Sequence, residues 1–414
     1  MSTRRVILLG SSRTYRTDAF VAAATRLRAE VITGDDVPPP LLPRVATGLP
    51  LDYRDLVRST AAIVRYASEH RVLAIVGVDD SGTVLAARAS AELGLPHNDP
   101  ESAEAARSKH VMRCRFAAAG VPSPAFSLHH TDDDPEAFAA LVKYPCVLKP
   151  TMLSGSRGVM RADTPAELVE RFLRLRRILA HERCDEVLVE DYIPGVEVAL
   201  EGLLQNGRLR VLALFDKPDP LEGPFFEETL YVTPSRLPAS VQQAVADTTG
   251  HAAASLGLRE GPVHAELRIN EHGPWMVEVA ARSIGGLCSK TLRFGSGMSL
   301  EELILRHALS LDTGPAHREA GAGGVLMIPI PRAGILRAVR GVAAAQAVPL
   351  VESVEITART SYPLVPLPEG DSYLGFVFAR GESPRAVEDA LRSAHARLAF
   401  DIVPEIPLAS SGGL

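Results

Sequence analysis

Basic clusters are missing from this 414-residue sequence. Its 44 lysines and arginines are outnumbered by 50 aspartates and glutamates, giving a net charge of -6. Binding to a nucleic-acid backbone runs on clustered cations, so no nucleic-acid partner is expected. Long apolar runs are also missing. A bilayer span needs about 20 such residues, so no membrane partner is expected. Cysteine is scarce: Cys114, Cys146, Cys184 and Cys288, none in a C-x-x-C pair. That excludes a zinc cluster or a dense disulfide framework and fits a reducing compartment. The apolar stretch Val6–Leu9 is too short for a signal peptide, and a cytoplasmic location is expected. Lysine is nearly as scarce as cysteine. Only Lys109, Lys143, Lys149, Lys217 and Lys290 occur, and the other 39 cations are arginine. Where arginine is the default cation, each retained lysine is a candidate for a specific role.

What is present is ordinary for a folded chain: 46% apolar and 23% charged residues. The length suits two or three domains at roughly 150 residues each. Up to residue 95 the pattern is small parallel α/β. A strand over Val6–Leu9 precedes a helix over Ala19–Ala29. A buried strand over Val72–Val78 leads through Asp79-Asp80-Ser81-Gly82 into an alanine-rich helix ending at Leu93. The spacing predicts one helix over Ser102–Ala119, and strands over Cys146–Lys149, Val187–Glu190, Val196–Leu203, Val263–Ile269 and Trp275–Val279. Gly314–Gly324 reads as a linker, and the tail reads as β-runs with one helix over Pro384–Arg397.

The strongest local argument lies at Val263-His264-Ala265-Glu266-Leu267-Arg268-Ile269. Strict alternation buries one face and opens the other, so His264, Glu266 and Arg268 share the open face. The return strand Trp275-Met276-Val277-Glu278-Val279 places Glu278, and beyond it Arg282, on one face, with Trp275 in the core. A hairpin centred on His272 sets Glu266 opposite Glu278, with Cβ atoms about 4.5–5.5 Å apart. Two carboxylates so close need a proton or a cation between them. Hard oxygen ligands, few in number, suit Mg²⁺ sharing its shell with phosphates. The alternative is an acidic hairpin with both charges splayed into water.

A second candidate follows Lys149. The loop Leu153-Ser154-Gly155-Ser156-Arg157-Gly158 can bring backbone N–H groups close to an anion, or it can be a plain turn. Lys149 at the end of its strand can reach phosphates under such a loop. Lys109 can supply a second cation or lie on a solvated helix face. Glu190-Asp191-Tyr192-Ile193-Pro194-Gly195-Val196-Glu197 can present backbone groups to a flat base and a carboxylate to ribose hydroxyls.

Taken in order, Lys109, Val147-Leu148-Lys149-Pro150, the Ser/Gly loop, the 189–197 segment, His264-Ala265-Glu266-Leu267-Arg268 and Val277-Glu278-Val279-Ala280-Ala281-Arg282 resemble the ATP-grasp superfamily of carboxylate–amine ligases. Glu278-Val279-Ala280-Ala281-Arg282 with Gly285-Gly286, and Gly223-Pro224-Phe225-Phe226-Glu227-Glu228-Thr229, look like the L-amino acid ligase and carnosine synthase branch. The resemblance implies an α/β (α+β multi-domain) chain with an ATP-grasp fold. Its parts would be an N-terminal Rossmann-like domain (1–96), a first ATP-grasp lobe (97–186), a second lobe with the metal site (187–320) and a C-terminal β-rich α+β domain (321–414).

It also implies roles. Lys109 and Lys149 would contact ATP phosphates, and the loop with Ser154, Gly155, Ser156 and Gly158 would close over them. Glu190 and the Asp191-Tyr192-Ile193 backbone would hold adenine, and Glu197 the ribose. Glu266 and Glu278 would bind Mg²⁺, with Mn²⁺ as an alternative. Arg282 would act in catalysis with Lys149 by stabilising the phosphorylated intermediate. Glu228 would contact the amine of the first amino acid, and Ser283, Gly285 and Gly286 would line the substrate site. Many ATP-grasp enzymes carry Asn two residues after the second metal glutamate, where this chain has Ala280.

The activity so implied is ATP-dependent amide formation between an amino acid carboxylate and an amine, through an acyl phosphate, in specialised metabolite biosynthesis. The partners are small carboxylates and amines, and a homodimer is common for such a fold. Two competing readings are another ATP-grasp ligase, of biotin-carboxylase or purine-pathway type, and a silent nucleotide-binding scaffold. His97, His129 and His130 read as surface histidines, Cys288 as a packed small residue, and Asp79-Asp80 as a helix start.

Overall fold

A computed structural model describes residues 4–11, 14–36, 47–182, 184–295 and 297–405. They divide into two compact units, each drawn from three stretches of chain. The first takes residues 1–128, 190–216 and 233–320, and the second 129–189, 217–232 and 321–414.

The first unit opens with a four-stranded parallel sheet in the order Thr47–Pro50, Ala29–Asp35, Arg4–Leu9, Ala74–Gly77. Ile7, Leu9, Ile32, Ile63 and Leu85 fill its core. The helix Asp80–Leu93 follows the last strand. Asp79 caps it through the Ser81 N–H, and Gly94 ends it in the left-handed conformation. The helix expected over Ser102–Ala119 is two, Pro100–Arg107 and Lys109–Ala119. Ser108 separates them with an extended backbone (φ -90°, ψ 112°), and its hydroxyl caps the second. Capping serines favour such non-helical angles over a mid-helix place. The unit also holds a run of four strands in the order Gly273–Ala280, Gly261–Asn270, Val196–Gln205, Arg208–Lys217. The helices Lys109–Ala119 and Ala239–Leu256 share one core with it, built on Met112, Phe116, Val198, Leu200, Val263 and Leu267.

The second unit holds two layered parts. In one, the strands Phe126–His130, Glu186–Asp191, Cys146–Pro150 and Met160–Ala162 lie side by side. The helix Pro165–Leu179 covers them through Leu168, Phe172 and Leu175. In the other, Leu230–Thr233, Ala322–Ile328, Gly375–Gly381 and Val351–Ile356 form a sheet under the helix Pro384–His395. The presumed linker 314–324 therefore ends inside a strand. Gly324 is there because the helix packs tightly: a Cβ would sit 2.8 Å from Val387 Cγ1 and 3.0 Å from the Tyr231 carbonyl. Gly324→Ala is expected to overpack this layer and cost about 1–3 kcal/mol. A denaturant titration checks this, and an unchanged midpoint would refute it. His129 is not a surface residue. Its ring stacks on Phe138 at 3.8 Å between centroids, and burial lowers its pKa. Cys288 is buried as expected.

Candidate active site

Along Gly261–Asn270, Val263, Ala265 and Leu267 enter the core, and His264, Glu266 and Arg268 share the other face. Cross-strand pairing completes three rows on that face. One holds Glu197, Arg268 and Trp275, the next Ala199, Glu266 and Glu278, and the third Glu201, His264 and Ala280. The row with two carboxylates thus lies between a row with a guanidinium and a row with an imidazole.

Glu266 does face Glu278, but by a route that alternation alone does not give. The turn residues are Glu271 and His272, so straight pairing from Asn270–Gly273 would set Glu266 against Val277. A bulge at Val277 restores the pair. The same bulge reverses the facing of everything before it. Trp275 therefore lies on the open face opposite Arg268, its Nε1 donating to Asn270 Oδ1 at 3.2 Å, while Met276 takes the core position expected of the tryptophan.

Lys109 is the first residue of its helix because Ser108 breaks the chain there. It is buried, and its Nζ lies 3.3 Å from Glu278 Oε1. The solvated-face alternative is overturned. One turn on, the fully buried Arg113 pairs with Glu190 (Nε to Oε1, 2.7 Å) and donates from Nη2 to the Val277 carbonyl at 2.7 Å. The bulge carbonyl, out of step with the ladder, is thereby satisfied. Glu190 sits in a desolvated ion pair. Beside it, the Asp191 N–H donates to the Ala125 carbonyl at 2.9 Å. Arg268 lies over the Tyr192 ring at 4.9 Å and donates to the Gly195 carbonyl at 2.9 Å, with Glu197 at 4.0 Å. These contacts set the course of the 190–197 segment, Ile193 included.

Glu201 was not legible as a functional residue. It has no exposed surface. Its Oε1 lies 2.6 Å from His264 Nδ1, and its Oε2 accepts from the Ile284 N–H at 3.1 Å. His264 Nε2 lies 3.3 Å from Glu266 Oε1. Burial works against charge on this imidazole, but Glu201 and Glu266 outweigh it and push its pKa up to about 9. One buried carboxylate therefore ties the Glu266 strand to the 282–286 loop. The available signal was a glutamate inside an otherwise apolar strand, four residues from Glu197 and so on the same face.

Arg282 makes a two-pronged pair with Asp80, Nε to Oδ1 at 2.9 Å and Nη2 to Oδ2 at 3.0 Å. Burial opposes both charges, yet their attraction prevails: the Asp80 pKa is lowered and that of Arg282 raised. Asp80 begins its helix as expected and also aims Arg282. Ser283 is buried, and Arg16 donates to its hydroxyl and its carbonyl. Burial and the neighbouring Arg282 lower the Arg16 pKa. At Gly285 a Cβ would meet nothing within 4 Å, and Gly286 has φ 56°.

In the second unit, Lys149 is buried as the fourth residue of Cys146–Pro150. In the loop that follows, Gly155, Ser156 and Gly158 have φ of 63°, 55° and 76°, and Ser154 is exposed. Glu228 accepts from the buried Lys217 and from the Tyr231 hydroxyl at 2.7 Å. The acid expected to take an amine thus already holds an ammonium.

The donor set at the Glu266–Glu278 row fits a small hard cation. Two carboxylates share one face in register, and phosphate oxygens and water would complete the shell. Ala280, in place of the common Asn, stands opposite His264, so this chain fills that row with an imidazole bound to Glu266.

Comparison with known proteins gives two domain matches. The ATP-grasp domain matches residues 142–291, and the L-amino acid ligase C-terminal domain 2 matches 326–403. Residues 142–291 are thus an ATP-grasp domain. Among solved structures, this ATP-grasp chain superposes on an L-amino acid ligase from Bacillus licheniformis with a TM-score of 0.81 at 24% identity, covering 97% of this chain and 100% of that one. It is 26% identical to an uncharacterised protein of Sinorhizobium fredii over 97% of this chain and 84% of the relative. It is 27% identical to the alanine–anticapsin ligase of Bacillus subtilis over 53% of this chain and 50% of that enzyme. The match thus spans about half the length of the characterised ligase. Among the described residues, no helix is long and apolar enough to cross a membrane.

Proposed function

We propose that this ATP-grasp protein joins an amino acid carboxylate to an amine, using ATP and releasing ADP and phosphate. The observation that carries the reading is the register of Glu266 with Glu278, with Lys109 at the second carboxylate and Arg282 held by Asp80 four residues beyond it. The match of the tail to an L-amino acid ligase domain favours this branch over purine-pathway or biotin-carboxylase chemistry.

A carboxylate is a poor electrophile, and transfer of the γ-phosphoryl group makes it an acyl phosphate. A Mg²⁺ held by Glu266 and Glu278 would neutralise charge on the phosphates. Lys109 and Lys149 add cations to the same task, and the loop 154–158 covers the phosphates and keeps water from the intermediate. Glu190 is the anchor of the adenine segment 191–193, and Glu197 takes the ribose. Glu228 holds the amine of the first amino acid, and the amine of the second substrate attacks the acyl carbon. Arg282 stabilises the oxyanion that forms, phosphate departs, and the amine's extra proton leaves with it or to water. Gly285 and Gly286 leave space for the second substrate beside Ser283.

The test is purified protein with Mg²⁺, ATP and pooled amino acids, followed by nucleotide analysis and mass spectrometry. ADP that appears only with particular amino acids, with a product equal to their sum less water, is expected. AMP with pyrophosphate would overturn the acyl-phosphate mechanism. His264→Leu is expected to raise the Mg²⁺ concentration for half-maximal rate about 10–100-fold, the usual effect of removing a partner that orients a metal-binding carboxylate. An unchanged Mg²⁺ requirement would count against Glu266 as a ligand.

A further inference from the structure

Little of what fixes the loop 154–158 comes from the loop. Its internal bonds are Arg157 N–H to the Ser154 carbonyl at 3.4 Å and Val159 N–H to the Ser156 carbonyl at 3.1 Å. Most of the remainder comes from a tail segment some 210 residues away in sequence but in the same unit. The Gly158 N–H donates to the Pro368 carbonyl at 2.9 Å, and Arg157 Nε donates to the Glu369 carbonyl at 2.8 Å. The Glu369 carboxylate is gripped by Arg174, Nε at 2.6 Å and Nη2 at 2.9 Å. Arg157 also pairs with Glu182 at 2.6 Å. A Cβ on Gly155 would stand 3.4 Å from Asp371 Cβ, so the loop lies against this segment along its length. The segment is itself closed by a bond from the Gly370 N–H to the Pro366 carbonyl. Arg174 lies 5.1 Å over the Phe225 ring, three residues before Glu228.

We propose that residues 366–371 are a clamp that sets the resting position of the loop 154–158, with Arg157, Arg174 and Glu369 as its positioning residues. The inference rests on the reading of that loop as the phosphate loop. Two features suit a releasable clamp rather than a permanent brace. The Arg174 and Glu369 side chains are 28% and 41% exposed, and ion pairs of that exposure are weak and salt-sensitive. The loop's left-handed backbone at three residues gives it a shape that few other contacts would hold. The tail domain thereby takes part in nucleotide handling without supplying a group that touches ATP.

The experiment compares Arg174→Gln, Glu369→Gln and the charge-swapped pair Arg174→Glu with Glu369→Arg. Amide hydrogen exchange at 155–159, the KM for ATP and the ratio of ADP released to amide formed are measured in each. Both single variants are expected to speed exchange in the loop but not in Cys146–Pro150, and to raise the KM and the excess of ADP about two- to fivefold. The swapped pair is expected to restore them. Unchanged exchange and KM alongside a lowered melting temperature would show a structural brace and overturn the clamp, as would faster exchange with an unaltered KM. Ser154→Ala with Ser156→Ala tests the loop reading separately. If that double variant binds ATP as the parent does, the phosphate-loop reading fails, and the clamp's role in nucleotide handling falls with it.

Discussion

Arg282→Ala is expected to lower kcat by about 10²- to 10³-fold while the KM for ATP changes little. That is the magnitude for removal of one preorganised charge donor from an oxyanion. Arg282 is held before any substrate arrives: both carboxylate oxygens of Asp80 grip it, 2.9 and 3.0 Å away. The gripping geometry is two-pronged and planar, so Arg282→Lys is not a conservative change. An ammonium offers a point charge where a fork is needed, and most of the loss should remain. Asp80→Asn should keep the arginine charge but loosen its aim, and the loss should be smaller than for Arg282→Ala. Steady-state kinetics with the amine varied distinguishes the cases. A fall in ATP affinity with kcat preserved would place Arg282 at the nucleotide and refute the role given to it here.

Glu201→Leu is expected to destabilise the fold by about 3–5 kcal/mol, the cost of breaking a buried charged pair from one side. The carboxylate is wholly enclosed. Its loss strands the His264 imidazolium and leaves the Ile284 N–H without its acceptor. Glu201→Gln should cost less, because the amide oxygen can still accept one bond. The double variant Glu201→Leu with His264→Leu should be more stable than the two single effects added, since no buried charge is then left alone. Denaturant titration of the four proteins gives the cycle, and strict additivity would show that the two residues do not depend on each other.

The parts of the architecture that alternation controls were legible in the sequence. A strand with valine, alanine and leucine on one face and histidine, glutamate and arginine on the other has one way to lie, and the open face of His264, Glu266 and Arg268 followed from it. The bulge at Val277 was not legible, because Trp-Met-Val-Glu-Val alternates well with either facing. Only the length of the turn decides between them, and Trp275 was misplaced for that reason. The break at Ser108 was hidden by alanine-rich helix formers on both sides of one capping residue. Asp80 with Arg282, Arg113 with Glu190, and Arg16 with Ser283 are separated by 202, 77 and 267 residues. No local pattern announces such partners. The scarcity of lysine did carry information: Lys109, Lys149 and Lys217 are all buried.

The interleaving of the two units has a consequence for how the chain emerges from the ribosome. The strand Val196–Gln205 is made some 60 residues before Gly261–Asn270, its partner on the Glu266 side. Until then its outer edge offers unpaired backbone groups to any other nascent strand. Residues 129–189 are made between two pieces of the first unit and wait for residues beyond 320 to complete their own. Late pairing of this kind folds slowly and exposes sticky intermediates. Slow translation or chaperone capture near residue 200 should therefore govern the yield of soluble protein more than the final stability does.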